Sequence, residues 1–322
     1  MFRLAPAIAA LLAALLLAAC DSDGQAGAPS PRPSPASPGL PMRVAATLPL
    51  FADFVREVGA DNVDVFSILP PGADPHTYEP TPSDIQRITE ADIIFVNNLQ
   101  ADLEGSILDS IESNKGQDTR VIPLMANFVS PRAQELGDPE ITAAEAGYNP
   151  HLWLDPLLAR AYAEVIAEAL ASEDGSNAAL YSDNLSRYGQ QLVQLDGEIA
   201  ATVQQIPPEN RKLVTPHDAF PHLAGRYGLE VVGFVVPSPG QDPSPRDIAD
   251  LTRAIRDQGV PAVFTEPQIG ADSRLLEQIA ADTGVQVCTL YSGALTDDVP
   301  TYIDMMRFNA DELLRCLGDG GD

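Results

Sequence analysis

From residue 42 onward, hydrophobic positions alternate between short apolar runs, typical of buried strands, and amphipathic stretches, typical of helices. Arg43–Leu48 predicts a buried strand, and Leu50–Val58 predicts a helix whose large apolar residues share one face. The same order continues with predicted strands at 63–69, 92–96 and 119–124 and predicted helices at 83–90, 103–112 and 157–172. Since parallel strands need crossover connections that are usually helices, this alternation indicates a parallel sheet flanked by helices.

The longest helical pattern, residues 177–206, separates this region from a second one. At 1.5 Å per residue it would span about 45 Å, which is enough to cross from one lobe to another. Beyond it, strands are predicted at 212–215, 230–235, 262–265 and 285–290, and helices at 219–227, 245–258, 272–283 and 301–317. The pattern therefore predicts an α/β protein of two lobes, each with a mainly parallel sheet flanked by helices, joined by one long rigid linker helix.

The chain begins with the pattern of a secretory signal peptide. Arg3 supplies a positive charge and precedes an apolar run that ends at Ala19. The run is too short to span a membrane, so residues 1–19 are predicted to be a signal peptide. The residues just before Cys20 resemble a bacterial lipobox, in which the cysteine is lipidated and becomes the mature N-terminus. An ordinary signal peptide cut near Ala19 is the alternative, and it would leave Cys20 as a free thiol.

The segment that follows lacks apolar periodicity and is rich in Pro, Ser, Gly and Ala, which is typical of a disordered tether. Such a tether would keep a globular domain near a membrane while leaving it free to turn. The predicted organisation is therefore a lipidated Cys20 with its tether at 20–41, an N-terminal α/β lobe at 42–175, a linker helix at 176–207 and a C-terminal α/β lobe at 208–318.

The charge of the chain limits which partners it can bind, and its cysteines and histidines limit which metal ligands it can offer. The chain carries 46 Asp and Glu against 19 Lys and Arg, and this acidic excess argues against nucleic acid as a partner. Beyond Cys20 the cysteines are Cys288 and Cys316, and a disulfide between them is possible but does not follow from the sequence. The sequence has no Cys-x-x-Cys metal pattern and contains four histidines.

Three of the four histidines lie between the end of a predicted strand and the start of a helix. His76 and His151 lie in proline-flanked loops, and His217 follows the strand at 212–215. Open α/β sheets bind ligands at the carboxyl ends of their strands. We therefore expect the three imidazoles, two from the first lobe and one from the second, to converge on a metal ion in the interlobe cleft. His222 lies five residues after His217, a poor match to one helical face, and is expected to pack rather than bind metal.

Several motifs resemble those of the metal-binding solute-binding lipoproteins that serve ABC transporters for zinc or manganese. They are Gly72–Pro80, Asn149–Pro156, His217–Phe220 with Arg226–Leu229, Phe264–Gln268, and Tyr302–Met306 with Asn309. The match extends from Val44 to Leu317. The resemblance implies a protein anchored by lipid on the extracytoplasmic side of the cell membrane, which captures a divalent ion between its lobes and delivers it to a membrane permease.

The resemblance carries the family's first three ligands onto His76, His151 and His217. The fourth ligand of the family is usually an aspartate just after the last strand, and Gly293 stands at that position here. Four candidates for the fourth ligand stay open: Asp297, Asp298, Glu266 and a water molecule.

The ligand types bear on the metal. Three neutral imidazoles suit the tetrahedral, nitrogen-rich coordination of zinc, whereas family members that select manganese often replace the third histidine with a carboxylate. Many zinc importers of the family carry a histidine-rich loop before the second ligand, and residues 97–150 contain no histidine. We therefore expect Zn²⁺ as the bound ion, with Mn²⁺ as the alternative.

Two other functions fit parts of the pattern. Three histidines with an open position also describe a catalytic zinc, for which Glu266 or Asp218 could act as general base. A surface adhesion lipoprotein would need no ordered metal site. A lipid-anchored carrier explains both the tether and the long helix, whereas a hydrolase explains neither. We therefore expect a monomeric carrier rather than an enzyme, with an ABC-transporter permease and, through Cys20, the membrane as partners.

Overall fold

The computed structural model of the protein describes residues 41–98, 101–125 and 149–318. The predicted signal peptide, Cys20 and the tether up to residue 40 lie outside these ranges. Within them, every helix is too short or too polar to cross a membrane.

A four-stranded parallel sheet forms the centre of the first lobe. Its strands are β1 (Met42–Ala46), β2 (Val63–Ser67), β3 (Ile93–Val96) and β4 (Arg120–Pro123), in the order β2-β1-β3-β4. Helices α1 (Pro49–Gly59), α2 (Pro82–Glu90) and α3 (Ala101–Asn114) connect the strands, and α4 (Pro156–Glu173) follows them in the described chain. All of β3 is buried, as expected of a central strand covered on both faces.

The long helix predicted between the lobes is α5 (Ala178–Val203). Its 26 residues span about 39 Å, and from Tyr188 to Val203 its large buried side chains recur every three or four positions on one face. It packs against α1 and α4 of the first lobe. The predicted helix continued to Ile206, but the backbone N–H of Ile206 bonds to the carbonyl of Val203, so the last turn tightens before the prolines at 207 and 208.

The second lobe contains two parallel strand pairs. Strand β5 (Lys212–His217) pairs with β6 (Glu230–Val236), β7 (Ala262–Thr265) pairs with β8 (Gln286–Thr289), and β5 lies beside β7. Their flanking helices are α6 (Pro221–Tyr227), α7 (Pro245–Asp257), α8 (Gly270–Thr283) and α9 (Tyr302–Leu317). The two-lobed α/β fold predicted from the sequence is therefore confirmed. One boundary differs in a way that matters for the site, because β5 continues two residues beyond the prediction and ends at His217 itself.

A large hydrophobic core runs through both lobes and the long helix, and a smaller one lies within the second lobe. The centre of the large core is a cluster of aromatic side chains from α1, α4, α5 and α9, namely Phe51, Phe54, Tyr162, Tyr188 and Tyr302. The Asp53 carboxylate on α1 also accepts the backbone N–H at the start of α9, with an oxygen–nitrogen distance of 2.9 Å. Because α1 follows β1 and α9 follows the last strand, these contacts hold the strand ends of the two lobes close to each other.

A disulfide joins Cys288 on β8 to Cys316 on α9. The sequence left this pairing open, and the structure decides it because α9 packs against β8 and brings the two residues together. Both cysteines are almost fully buried.

Candidate metal centre

His76 is held by a carboxylate two residues before it in the loop after β2. One oxygen of Asp74, Oδ1, accepts the backbone N–H of His76 at 3.1 Å and its ring Nδ1–H at 2.7 Å. The other oxygen accepts the Thr77 hydroxyl at 3.0 Å. Pro75 restricts Asp74 to extended backbone conformations, which helps to keep this arrangement. The imidazole is thereby oriented with Nδ1 occupied and Nε2 left for a ligand.

His151 is held in the same way by Asn149. The side-chain oxygen of Asn149 accepts the backbone N–H of His151 at 3.0 Å and its Nδ1–H at 2.8 Å. The amide nitrogen of Asn149 donates to the carbonyl oxygen of Asp218, which fixes which end of the amide faces the ring. A proline again stands between the two residues, at Pro150.

His217 is oriented across the second lobe rather than by its own loop. Its Nδ1–H donates to Oε1 of Glu266 at 2.8 Å, and Glu266 directly follows the neighbouring strand β7. The Thr215 hydroxyl donates to the carbonyl oxygen of His217 at 2.8 Å and stabilises the end of β5. Both His217 and Glu266 are about 1% exposed, so water does not compete for this pair.

The three imidazoles converge. A ring nitrogen from each of His76, His151 and His217 lies within 4.8 Å of the other two. The Nε2 atoms of His151 and His217 are 3.4 Å apart. Since the Nδ1 atoms of both rings donate to oxygen acceptors, neutral rings present Nε2 lone pairs to each other, which repel unless a cation lies between them. This donor set suits a divalent transition metal.

The surroundings shift the pKa values of the two buried rings in opposite directions. Burial lowers the pKa of His151 well below its ordinary value, and the neighbouring imidazoles lower it further, so this ring is neutral. Burial also lowers the pKa of His217, but the Glu266 carboxylate outweighs it and the net pKa is raised. Burial raises the pKa of Asp74, but its hydrogen bonds and the charge of His76 lower it more, so Asp74 stays ionised.

The remaining candidate ligands and the fourth histidine do not join the three converging rings. Oε2 of Glu266 accepts from the Gln268 amide at 3.1 Å, so both of its oxygens have partners outside the metal position. Asp297 and Asp298 are exposed and do not belong to the described group of converging donors. His222 lies apart from this group and approaches the Asn149 carbonyl with Nε2 at 3.0 Å.

Gly293 does lie in the pocket that contains His76 and His151. A Cβ at this position would lie 3.2 Å from Leu50 and 3.4 Å from Trp153, so the wall is closely packed there. The Trp153 ring packs edge-on against His151 with centroids 5.3 Å apart. The tryptophan therefore forms part of the pocket wall beside the histidine cluster.

Asp74 and Asn149 were not predicted to orient the ligands, although a signal was present. Both histidines of the first lobe follow the pattern Asx-Pro-His, and an Asx side chain readily accepts a backbone N–H two residues on. His217 has Thr215 at the corresponding position. The Thr215 hydroxyl donates to the His217 carbonyl oxygen instead, and Glu266, just after β7, accepts from the ring.

A buried polar network supports the loop that carries His151. The Thr47 hydroxyl and the backbone N–H of Asn97 both donate to the Glu104 carboxyl group, the latter at 3.0 Å. The Asn97 side chain donates in turn to the carbonyl oxygen of Pro150 at 3.0 Å. Burial raises the pKa of Glu104 to about 7, although these two hydrogen bonds lower it.

The pKa of Glu104 predicts a pH dependence of stability. Its ordinary value is 4.5, so the folded state binds the proton more tightly than the unfolded state. This contribution is fully present below pH 4.5 and is lost as the pH rises through about 7, by about 3 kcal/mol in total. Urea unfolding between pH 5 and 8 should show the decline, and Glu104→Gln should make it shallower, with Asp53 and Asp155, whose pKa values are raised to about 6, supplying the rest. Equal slopes in the two proteins would contradict this assignment.

The hydrogen bonds from Asp74 predict an effect on metal affinity. Asp74→Ala should weaken zinc binding by about 10–100-fold, because partners behind metal ligands typically contribute that much. Thr77→Val is the matched control, since it removes the hydroxyl that contacts Asp74 but leaves both hydrogen bonds to His76. Zinc titration against a competing chelator measures both. If the two variants bound zinc equally well, Asp74 would have no orienting role.

Comparison with known proteins identifies the family of this chain. Residues 44–316 match the family described as zinc-uptake complex component A, periplasmic (ZnuA). The chain belongs to this family. Among its relatives is the manganese ABC transporter substrate-binding lipoprotein PsaA of Streptococcus anginosus, 27% identical over 88% of this chain and 91% of the relative. The metal ABC transporter substrate-binding lipoprotein SsaB of Streptococcus sanguinis is 26% identical over 94% and 95%.

A solved structure supports the same assignment. The periplasmic zinc binding protein TroA from Treponema pallidum superimposes with a TM-score of 0.77 and 28% identity, over 87% of this chain and all of TroA. The resemblance expected from the sequence motifs is thus confirmed, and the chain is a member of the substrate-binding proteins of metal ABC transporters. The named relatives are transport proteins rather than enzymes, and their names include both zinc and manganese.

Proposed function

We propose that this protein captures Zn²⁺ between its lobes on the extracytoplasmic side of a membrane and delivers it to an ABC-transporter permease. The observation that carries the proposal is the convergence of three imidazole nitrogens within 4.8 Å at the junction of the two lobes. The ligands His76 and His151 come from the first lobe and His217 from the second. An ion bound by all three links the lobes, so a small separation of the lobes would release it.

Zinc is preferred over manganese because of the donor atoms. The three rings supply nitrogen, which suits zinc, whereas manganese favours sites richer in carboxylate and water oxygen. Asp74 and Glu266, the carboxylates that hydrogen-bond to the rings, accept from Nδ1 atoms and do not face the proposed ion as ligands. Manganese remains the second candidate, and PsaA carries that metal in its name.

The proposal also includes the anchor and the organisation of the chain. Removal of a signal peptide at residues 1–19 would leave Cys20 as the lipidated N-terminus, followed by a tether to residue 41. The lobes would then occupy 42–175 and 208–318, with the linker helix at 176–207, and the protein would act as a monomer. The named lipoprotein relatives support this arrangement.

A hydrolytic zinc site fits the geometry less well. Such a site needs a general base beside the ion. Glu266 contacts His217 at Nδ1, on the side of the ring away from the Nε2 that faces His151, and its other oxygen accepts from Gln268, so it does not face the proposed ion.

The choice of metal is tested by uptake rather than by affinity. Most nitrogen and oxygen sites bind Zn²⁺ more tightly than Mn²⁺, so a tighter zinc complex in vitro would not decide the question. Cells with and without the intact gene should be compared for radioactive zinc and manganese accumulation when each metal is scarce, together with the metal content of protein purified without added metal. We expect loss of zinc uptake alone. Loss of manganese uptake alone would overturn the choice of zinc, and unchanged uptake of both would overturn the carrier role.

A further inference from the structure

Gln268 places a buried amide oxygen in the wall of the metal pocket. The residue follows β7 and lines the pocket together with His76, His151 and Gly293. Its Oε1 atom is buried and has no hydrogen-bond partner within the part of the chain that the structure describes. Buried polar side-chain atoms are nearly always satisfied, so this acceptor beside the converging imidazoles calls for a partner, and a bound ion is one that the pocket would supply.

The orientation of this amide is determined by its neighbours. The Gln268 nitrogen, Nε2, donates to Oε2 of Glu266 at 3.1 Å and to the Ser292 hydroxyl oxygen at 2.8 Å. A carboxylate only accepts hydrogen bonds, so rotating the amide by 180° would place two oxygens against each other. Oε1 is therefore the amide atom that is left without a partner.

The position matters because the usual fourth ligand is missing. Gly293 stands where the family resemblance places an aspartate, and it has no side chain to offer. Gln268 lines the same pocket from the neighbouring strand end. An amide oxygen is a neutral donor that binds divalent cations, and tetrahedral zinc sites accept an oxygen as the fourth ligand beside three histidines.

We propose that the side-chain oxygen of Gln268 is the fourth ligand of the metal ion. This inference rests on the proposed function and names a ligand for it. The first coordination sphere would then be three imidazoles and one amide, all neutral. Negative charge would lie outside the set of ligands. It would be carried by Asp74 and Glu266, which accept hydrogen bonds from the rings of His76 and His217.

A loss of metal affinity on changing Gln268 has a competing explanation. The Nε2 atom of Gln268 donates to Glu266, and Glu266 orients the ring of His217, so the residue could act through position alone. Affinity alone would not separate the two roles. The absorption spectrum of bound Co²⁺ does, since the spectrum reports the donor atoms and the coordination number directly. Ser292→Ala is the matched control, because it removes one acceptor from Nε2 and leaves Oε1 in place.

The test uses the full-length protein loaded with Co²⁺ or Zn²⁺. Gln268→Ala should weaken zinc binding by about 10–100-fold and shift the Co²⁺ spectrum, whereas Ser292→Ala should leave the spectrum unchanged. A crystal structure of the zinc complex should place Oε1 about 2.0–2.2 Å from the ion. An unshifted spectrum in Gln268→Ala, or a water molecule in place of Oε1, would overturn the inference while leaving the three-histidine site intact. Failure of the unaltered protein to bind either metal would instead overturn the proposed function.

Discussion

Replacing His217 with alanine is expected to lower the zinc affinity of this protein by more than about 100-fold, beyond the effect typical of residues behind the ligands. The change removes the one ring nitrogen supplied by the second lobe, which lies 3.4 Å from Nε2 of His151. The remaining imidazoles would both belong to the first lobe, so the second lobe would contact the ion only through the proposed ligand Gln268. Competition with a zinc chelator at neutral pH measures the loss.

Three further variants keep this prediction testable. His217→Ala leaves the Glu266 carboxylate buried without its ring partner, which costs stability in its own right. His76→Ala removes a ligand from the more exposed loop after β2 and should give a comparable loss of affinity in a well-folded protein. Asp297→Asn and Asp298→Asn, both at exposed positions, should leave affinity unchanged. Wild-type affinity in the two histidine variants would refute the metal centre, and a large loss at Asp297 or Asp298 would refute their exclusion from it.

Removing the disulfide is expected to lower the free energy of unfolding by about 3.5 kcal/mol, the value that loop entropy gives for a closed loop of this length. Cys288 and Cys316 are separated by 28 residues and join the last strand to the last helix. The bond therefore restricts the unfolded chain over the whole segment after β8. Urea unfolding of the Cys288→Ala/Cys316→Ala variant, monitored beside the oxidised wild type, measures the difference.

Reduced wild-type protein is the matched control for the disulfide, because it loses the bond but keeps both side chains in the core. If the reduced protein loses about as much stability as the double variant, the effect belongs to the bond. If the reduced protein is as stable as the oxidised one, any loss in the variant comes from the buried volume that alanine leaves unfilled.

Much of the fold follows from local sequence pattern. The alternation of apolar runs and amphipathic stretches predicts the strands and helices, because burial on one face or on both leaves a periodicity that depends only on neighbouring residues. The same local reading identifies His76, His151 and His217 as residues at strand ends. The small errors fall at boundaries, as at the end of α5, where a tightened turn and not the apolar pattern ends the helix.

The contacts that complete the site depend on which strands become neighbours. Glu266 lies 49 residues from His217, and the two meet because β5 and β7 lie side by side. Gln268 meets Ser292 through the pairing of β7 with β8. No periodicity in the sequence encodes these distances.

The sequence by itself determined the fold class and the three candidate histidines, since each is a property of residue type and local spacing, and the family resemblance added the missing aspartate at Gly293. Only the tertiary structure decided the Cys288–Cys316 bond, the partner of each Nδ1 atom and the orphaned oxygen of Gln268 that we propose as the fourth ligand. The reason is physical. A hydrogen bond or a metal ligand needs atoms placed to within tenths of an ångström, and for residues far apart in the chain that placement comes from packing of the whole core.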